Sequence, residues 1–253
     1  MTFTHAITRK PGLDFAEGIT TAKLGTPDYE LMMLQHAAYI NALRALGLMT
    51  IELDTLPGHP DAYFVEDVAV VTPEVAVITR PGAPSRQGEE ATMALVLSQH
   101  RPVAPIKSPG TLDGGDVLMV GSRCFVGLSE RTNAAGAGQL ARILGDHGYN
   151  CTAVPVAAGL HFKSSVNWVG GKTLLVTADF AGQPELADYE QIVVPEGEEA
   201  AANVLLVNGR LLIPQGYPQT RKKLIDWGAD IIELNMSEAA KMDGGLTCMS
   251  LRF

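Results

Sequence analysis

Cys248 follows the stretch Met242-Asp243-Gly244-Gly245-Leu246-Thr247 near the end of the chain, where it serves either as a small apolar core residue or as a nucleophile. Thiolate reactivity depends on a nearby base or cation, so the second reading needs a histidine and an orienting carboxylate elsewhere. His161, in Leu160-His161-Phe162-Lys163-Ser164, and Asp113, in Thr111-Leu112-Asp113-Gly114-Gly115-Asp116, are the candidates. Asp61, Glu66 and Asp67 form a further acidic group. Carboxylates this close are costly unless Lys, Arg, a metal or a guanidinium ligand neutralises them. Alternation along a regular strand would send Glu66 and Asp67 to opposite faces, so both reach one ligand only if the backbone bends there. The spacing lacks the alternating oxygen ligands of a calcium loop, HExxH is absent, and no metal is expected. Arg86 and Arg131 each follow a second apolar strand and precede a helix; aimed into one mouth, they would fork a substrate carboxylate. Taken singly, each reads as a surface arginine. His5, His36, His59, His100 and His147 have no partner motif and are expected to be solvated or capped, and Asp116 is read as structural.

The elements that must position these residues repeat one grammar: apolar strand, tight turn, second strand, polar or helical connection, third strand. The pattern predicts strands over 68–71, 75–78 and 103–106 with a helix over 88–97, then strands over 117–120, 124–127 and 151–156 with a helix over 134–144. It continues with strands over 166–169, 173–176 and 191–194, and with strands over 204–207, 211–213 and 230–234 around a helix over 219–227. Turns at Thr72, Gly121, Gly170 and Asn208 recur every roughly 40–50 residues, the mark of a repeat architecture. A helix with Thr26 as N-cap, Pro27 in its first turn, Leu31, Leu34 and Ala38 on one face and Gly47 as stop precedes a strand over 49–53. Together with a C-terminal strand these form a fifth unit that closes a ring and brings Cys248 to its centre. A propeller whose blades are all strand fits less well, because the units carry helices or long connections. The whole span 1–253 reads as a single domain.

Hydrophobic residues make up 46% and charged residues 19% of the chain, which is the balance of a compact protein with a sizeable core. A net charge of −9 without a long Lys/Arg block argues against nucleic acid or an anionic lipid surface, and favours a cationic small molecule. The chain start lacks a basic, apolar leader, and no apolar run reaches the roughly 18 residues that span a bilayer, so a cytoplasmic protein is expected. Cys124, Cys151 and Cys248 are too widely spaced for a CxxC-type metal site or a disulfide framework, and Cys124 and Cys151 read as core or strand residues.

Five segments in order carry a family resemblance: Phe64-Val65-Glu66-Asp67, Thr111 to Val117, Ser129-Glu130-Arg131-Thr132-Asn133, Leu160 to Ser164 and Asp243 to Cys248. They closely resemble the dimethylarginine dimethylaminohydrolases, over nearly the whole chain from Gly18-Ile19-Thr20 onward. The resemblance implies an α/β pentein, a five-bladed αβ propeller of ββαβ-like repeats around a central active-site channel. It implies Cys248 as nucleophile, His161 as general acid and base, and Asp113 as the carboxylate that orients the histidine. By the same resemblance Asp61, Glu66 and Asp67 contact the guanidinium, and Arg86 and Arg131 clamp the carboxylate. Ile19 lies in a mobile lid, and the backbone of Met242 and Asp243 helps hold the α-amino group. The implied reaction converts asymmetric dimethylarginine or monomethylarginine to L-citrulline and a methylamine through a thiouronium adduct, without a cofactor, in a monomer or a homodimer.

The electronics agree, since a guanidinium carbon is a poor electrophile that needs localised charge and a strong nucleophile. The alternatives on this fold are arginine or agmatine deiminase, another guanidino or ureido hydrolase, an amidinotransferase, and a non-enzymatic binding pentein. Lys163 stands where arginine deiminases carry Asp.

Overall fold

The computed structural model describes residues 2–156 and 160–253; Gly159, which opens the histidine's stretch, lies outside them. In chain order the elements are β1 (His5–Arg9), α1 (Tyr29–Ala45), β2 (Met49–Leu53), β3 (Ala69–Val71), β4 (Ala76–Ile78), α2 (Glu89–Leu97) and β5 (Val103–Pro105). Next come β6 (Val117–Val120), β7 (Arg123–Leu128), α3 (Ala134–Gly145), β8 (Asn150–Pro155), β9 (Val166–Gly170), β10 (Thr173–Val176) and β11 (Glu190–Val193). The chain ends with β12 (Leu205–Val207), β13 (Arg210–Pro214), α4 (Pro218–Trp227), β14 (Ile231–Leu234), α5 (Ser237–Ala240) and β15 (Leu251–Arg252).

These strands form five three-stranded sheets: β3-β4-β5, β6-β7-β8, β9-β10-β11, β12-β13-β14 and β15-β1-β2. In each sheet the first strand pairs antiparallel and the third parallel with the middle one. A tight turn can make the antiparallel step, whereas the parallel step needs a crossover. Helices α1 to α4 supply four crossovers, and two 3₁₀ turns, Ala178–Phe180 and Pro184–Leu186, supply the one between β10 and β11. The expected five-unit αβ ring is therefore present. Its fifth blade takes its first strand from the C-terminus and its other two from the N-terminal part of the chain.

Four expectations need correction. The N-terminal blade has a further strand, β1, that hydropathy does not mark because Thr8 and Arg9 are polar yet buried. Arg9 donates through Nη1 to the Asp54 carbonyl at 2.9 Å and through Nη2 to Thr92 Oγ1 at 2.6 Å. The cap of α1 is Asp28 rather than Thr26: its carboxylate accepts the Leu31 N–H at 2.8 Å, while its own N–H is held by Glu238 at 2.7 Å.

The buried face of α1 is also rotated from the expected one. Met32, Gln35, His36, Tyr39, Ile40 and Leu43 point inward, whereas Leu34 is 69% exposed. Gln35 can be buried because α5 satisfies it, with Ser237 Oγ accepting from its amide at 2.8 Å and the Glu238 N–H donating back at 3.0 Å. His36 is buried rather than solvated, and loss of water pushes its imidazole down to about 4. Between the blades lie separate apolar clusters, built around Tyr39 and Met249, Leu140 and Val126, Met93 and Ile78, Phe162 and Leu174, and Leu224 and Leu211. Among the described residues no helix is long and apolar enough to cross a membrane.

Candidate active site

Each blade presents a short turn just ahead of its first strand, and the chemistry-bearing residues sit on these turns. The 3₁₀ turn Val65–Val68 leads into β3, Asp113 opens the turn Gly114–Asp116 before β6, and His161 opens Phe162–Ser164 before β9. Asn203 closes Glu199–Ala202 before β12, and Cys248 stands just ahead of β15. Equivalent positions of a ring converge on its axis, so residues far apart in sequence become neighbours. A small cavity is the result, with Ile19, Asp61, Asp67, Arg86, Arg131, His161, Met242, Asp243 and Cys248 on its wall beside Phe64, Leu160 and Gly244.

Asp113 is fully buried behind this wall, its Oδ2 3.0 Å from His161 Nε2 and its Oδ1 accepting the Gly82 N–H at 2.8 Å. A carboxylate there fixes the proton on Nε2 and leaves Nδ1 facing Asp67, whose Oδ1 lies 3.9 Å away. Burial would lower the His161 pKa, but the charge of Asp67, the hydrogen bond to Asp113 and the charge of Asp116 outweigh it and raise it to about 9. Burial likewise works to raise the Asp113 pKa, yet the hydrogen bond and charge of His161 bring it below the usual carboxylate range. The resting pair is thus imidazolium and carboxylate at neutral pH. Gly115 makes the arrangement possible, since a Cβ there would stand 2.7 Å from both Asp67 Oδ1 and His161 Nδ1.

Cys248 is partly exposed, with its sulfur 3.4 Å from the Gly245 N–H. Burial of the sulfur, then the charges of Glu66 and Asp67, push its thiol up to about 12. The unliganded site therefore holds a neutral thiol beside an imidazolium.

The bend at Val65–Val68 separates its two carboxylates. Asp67 faces the Cys248 cavity, where it receives the Arg86 guanidinium and the Gly115 N–H at 3.0 Å. Glu66 is absent from that wall and lines a second cavity, together with Lys163 and Arg252. There Lys163 Nζ at 2.7 Å and Arg252 Nη2 at 3.1 Å hold its Oε1. The structure thus brings Asp67 and Asp61 to the Cys248 cavity and leaves Glu66 acting on the thiol through its charge.

Arg86 is no surface residue. Only 4% exposed, it donates to Glu89 through Nε and Nη2, to Asp67 through Nη1, and to the Asp61 and Phe64 carbonyls. Arg131 approaches Asp113 at 3.9 Å. Asp61 receives the Ile19 N–H at 3.1 Å on both oxygens, and burial, opposed by Arg86 and this N–H, raises its pKa. Asp243 holds the same segment through its side chain, accepting the Thr21 N–H at 2.5 Å and the Thr21 hydroxyl at 3.0 Å.

Three further residues support the site. Asp116 accepts the Phe162 N–H at 2.8 Å and the Thr132 and Ser129 hydroxyls at 2.6 Å, tying the histidine's turn to the loop that carries Arg131. Asn203 accepts the Thr247 N–H at 3.0 Å, and Arg252 binds the segment that contains Cys248. The sequence reading missed Asn203 and Arg252; the repeat position ahead of β12 was the one signal for Asn203. Asp67, Asp113 and His161 can offer ligand atoms within 4.8 Å of one another, but their facing atoms are already used by one another and by Arg86 and Gly115.

Comparison with known proteins agrees with this fold. The family model described as "Arginine deiminase" matches residues 31–164. A relative named N(G),N(G)-dimethylarginine dimethylaminohydrolase, from Pseudomonas aeruginosa, is 41% identical over 253 residues, covering 99% of this chain and 100% of its own length. One of the same name from Streptomyces coelicolor is 39% identical, covering 98% of this chain and 96% of the relative. A solved structure of the P. aeruginosa protein, a cysteine-to-serine variant complexed with citrulline, superposes with a TM-score of 0.98 at 40% identity over 100% of both chains.

Proposed function

Because this chain belongs to the dimethylarginine dimethylaminohydrolase family, we propose that it hydrolyses N-ω-methylated L-arginine to L-citrulline and a methylamine through a covalent adduct on Cys248. It is a hydrolase of guanidino groups. The observation that carries the residue assignment is the single cavity shared by Cys248, His161, Asp67 and two arginines. The solved relative's serine in place of cysteine and its bound citrulline support a thiol nucleophile and that product.

In this mechanism Asp67 orients the guanidinium so that its carbon lies over the Cys248 sulfur, while Arg86 and Arg131 receive the α-carboxylate. The backbone of Met242 and Asp243 receives the α-amino group, and Ile19, tied to Asp61, closes over the ligand. A guanidinium beside the thiol opposes the charges of Glu66 and Asp67 that hold the proton on sulfur, so substrate binding itself favours the thiolate. Sulfur attacks the guanidinium carbon, His161 Nδ1 protonates the departing methylamine, and a thiouronium remains on Cys248. The same nitrogen, now neutral, deprotonates the water that attacks this carbon and releases citrulline.

Lys163 supports methylated over unmethylated arginine. The chain carries a cation where arginine deiminases carry a carboxylate, and that cation is turned away to Glu66. With one carboxylate fewer for its nitrogens, the site suits a substrate whose methylated nitrogen has lost donors. We assign the catalytic unit to one domain, monomeric or homodimeric, that works in the cytoplasm without a metal.

A mass-spectrometric panel of arginine derivatives tests the proposal. Wild type is expected to convert dimethylarginine to citrulline and dimethylamine, and Cys248→Ser to give none. Equal turnover by the serine variant would remove the nucleophile, and faster ammonia release from arginine would make the protein a deiminase.

A further inference from the structure

The segment from Leu246 to Ser250 belongs to no helix or strand, so its backbone groups must find partners elsewhere. The Cys248 carbonyl accepts the Glu66 N–H at 3.0 Å, and the Thr247 carbonyl accepts Arg252 Nη1 at 3.0 Å. The same Nη1 donates to the Ser250 carbonyl and, at 2.7 Å, to Ser250 Oγ. Tyr39 gives its hydroxyl proton to the Leu246 carbonyl at 2.8 Å, so the 2.5 Å contact between Tyr39 and Ser250 Oγ must be donated by the serine. A directed chain results, running from Arg252 through Ser250 and Tyr39 to Leu246. The other arm of Arg252 reaches Glu66 Oε1 at 3.1 Å, on the residue whose N–H holds the Cys248 carbonyl.

We propose that Arg252 is a positioning residue for the reaction: its guanidinium fixes the Thr247–Ser250 backbone and, together with Lys163, anchors Glu66, and so holds the Cys248 sulfur in register with His161 and Asp67. This rests on Cys248 being the nucleophile. Arginine suits the task because its planar fork offers several fixed donors at once, where lysine offers a point charge on a flexible stem. The arrangement has an electrostatic side as well. Glu66 lies between two cations and is one of the charges that raise the Cys248 thiol, so losing Arg252 leaves that carboxylate less neutralised beside the sulfur.

The test compares wild type, Arg252→Met and Arg252→Lys as full chains. One measurement is kcat and KM for dimethylarginine, and the other is the rate of Cys248 alkylation by iodoacetamide at a fixed pH of about 8, near the thiol's ordinary titration range. Arg252→Met is expected to lose at least about tenfold in kcat with KM within about threefold, because an orientation defect acts on the chemical step. Its alkylation is expected to slow several-fold. In Arg252→Lys the retained charge should bring alkylation back near wild type while kcat stays low. In a Glu66→Gln background, Arg252→Met should no longer slow alkylation.

A merely loosened segment would expose the thiol and speed alkylation, so faster labelling in Arg252→Met overturns the proposal. Wild-type kcat in Arg252→Lys also overturns it, and keeps the question answerable if the methionine variant does not fold. Failure of the underlying reading looks different: wild-type protein alkylated at Cys248 would then keep its turnover.

Discussion

Asp67→Asn isolates the charge that sets the histidine. Asp67 Oδ1 lies 3.9 Å from His161 Nδ1, and two unit charges at that separation in an effective dielectric of about 20 interact by about 4 kcal/mol, close to 3 pKa units. Asparagine keeps the shape and can still accept the Gly115 N–H, so the change is in charge rather than in packing. Arg86 keeps Glu89 as its partner and remains charged, which also disfavours the imidazolium. His161, at about 9 in wild type, should therefore fall by about one to three units in the variant.

The assay is a pH titration of the His161 Cε1–H resonance, with the other histidines as internal standards. A fall toward the upper end of that range would leave a largely neutral imidazole at neutral pH, and any fall goes with one carboxylate fewer for the guanidinium, so kcat/KM should drop by about 10² or more. If His161 titrates within about half a unit of wild type, Asp67 is not what holds its proton, and the electrostatic account of the site fails.

Gly115→Ala would place a methyl group 2.7 Å from Asp67 Oδ1 and His161 Nδ1, and displacement of reacting groups by about 1 Å costs on the order of 10² in rate. Steady-state kinetics should show that loss with KM little changed, and an alanine variant with wild-type kcat would mean the two side chains are free to move apart. His36, lowered to about 4 in the fold against 6.5 in the open chain, contributes stability above pH 6.5 that is lost as pH falls through 4, a total of about 3 kcal/mol. Thermal melts from pH 7 to 4 should therefore decline less steeply in His36→Leu than in wild type, and parallel declines would mean that His36 is protonated in both states.

The readable and unreadable parts of this chain differ in how local their causes are. The hairpin in each of four blades is written in a few adjacent residues, such as Val117 to Val120, a glycine turn and Cys124 to Gly127, and the structure pairs them as expected. Strand β1 was missed because its first-strand partner, β15, lies at the other end of the chain, and because Arg9 finds its acceptors on Asp54 and Thr92. The face of α1 was misjudged for a similar reason. An apolar stripe through Leu31 and Leu34 is the local signal, but Ser237 and Glu238 make the Gln35 side the one that can be buried. In the site, motif residues such as Cys248 and His161 announce themselves by type, whereas Asn203 and Arg252 act through the backbone and have no type-specific mark.

In the proposed mechanism, the charges around the cavity make binding and activation coincide. Asp61, Asp67 and Asp243 on the wall meet Arg86, Arg131 and a protonated His161, while Asp113 and Glu89 stand immediately behind it. Counted together, the carboxylates outnumber the cations, and an arginine derivative, with one net positive charge, offsets part of that excess. Before it arrives, burial of the sulfur and then the charges of Glu66 and Asp67 keep the proton on Cys248; in the proposed mechanism, a guanidinium lying against Asp67 weakens that opposition to a thiolate at the atom that attacks. An unliganded enzyme built this way protects its own nucleophile, since a thiol held near 12 reacts slowly with adventitious electrophiles. The placing of Glu66 and Asp67 on different cavities serves the same purpose. Asp67 is placed to meet the ligand directly, while Glu66, anchored by Lys163 and Arg252, keeps its influence on the sulfur whether the cavity is empty or filled.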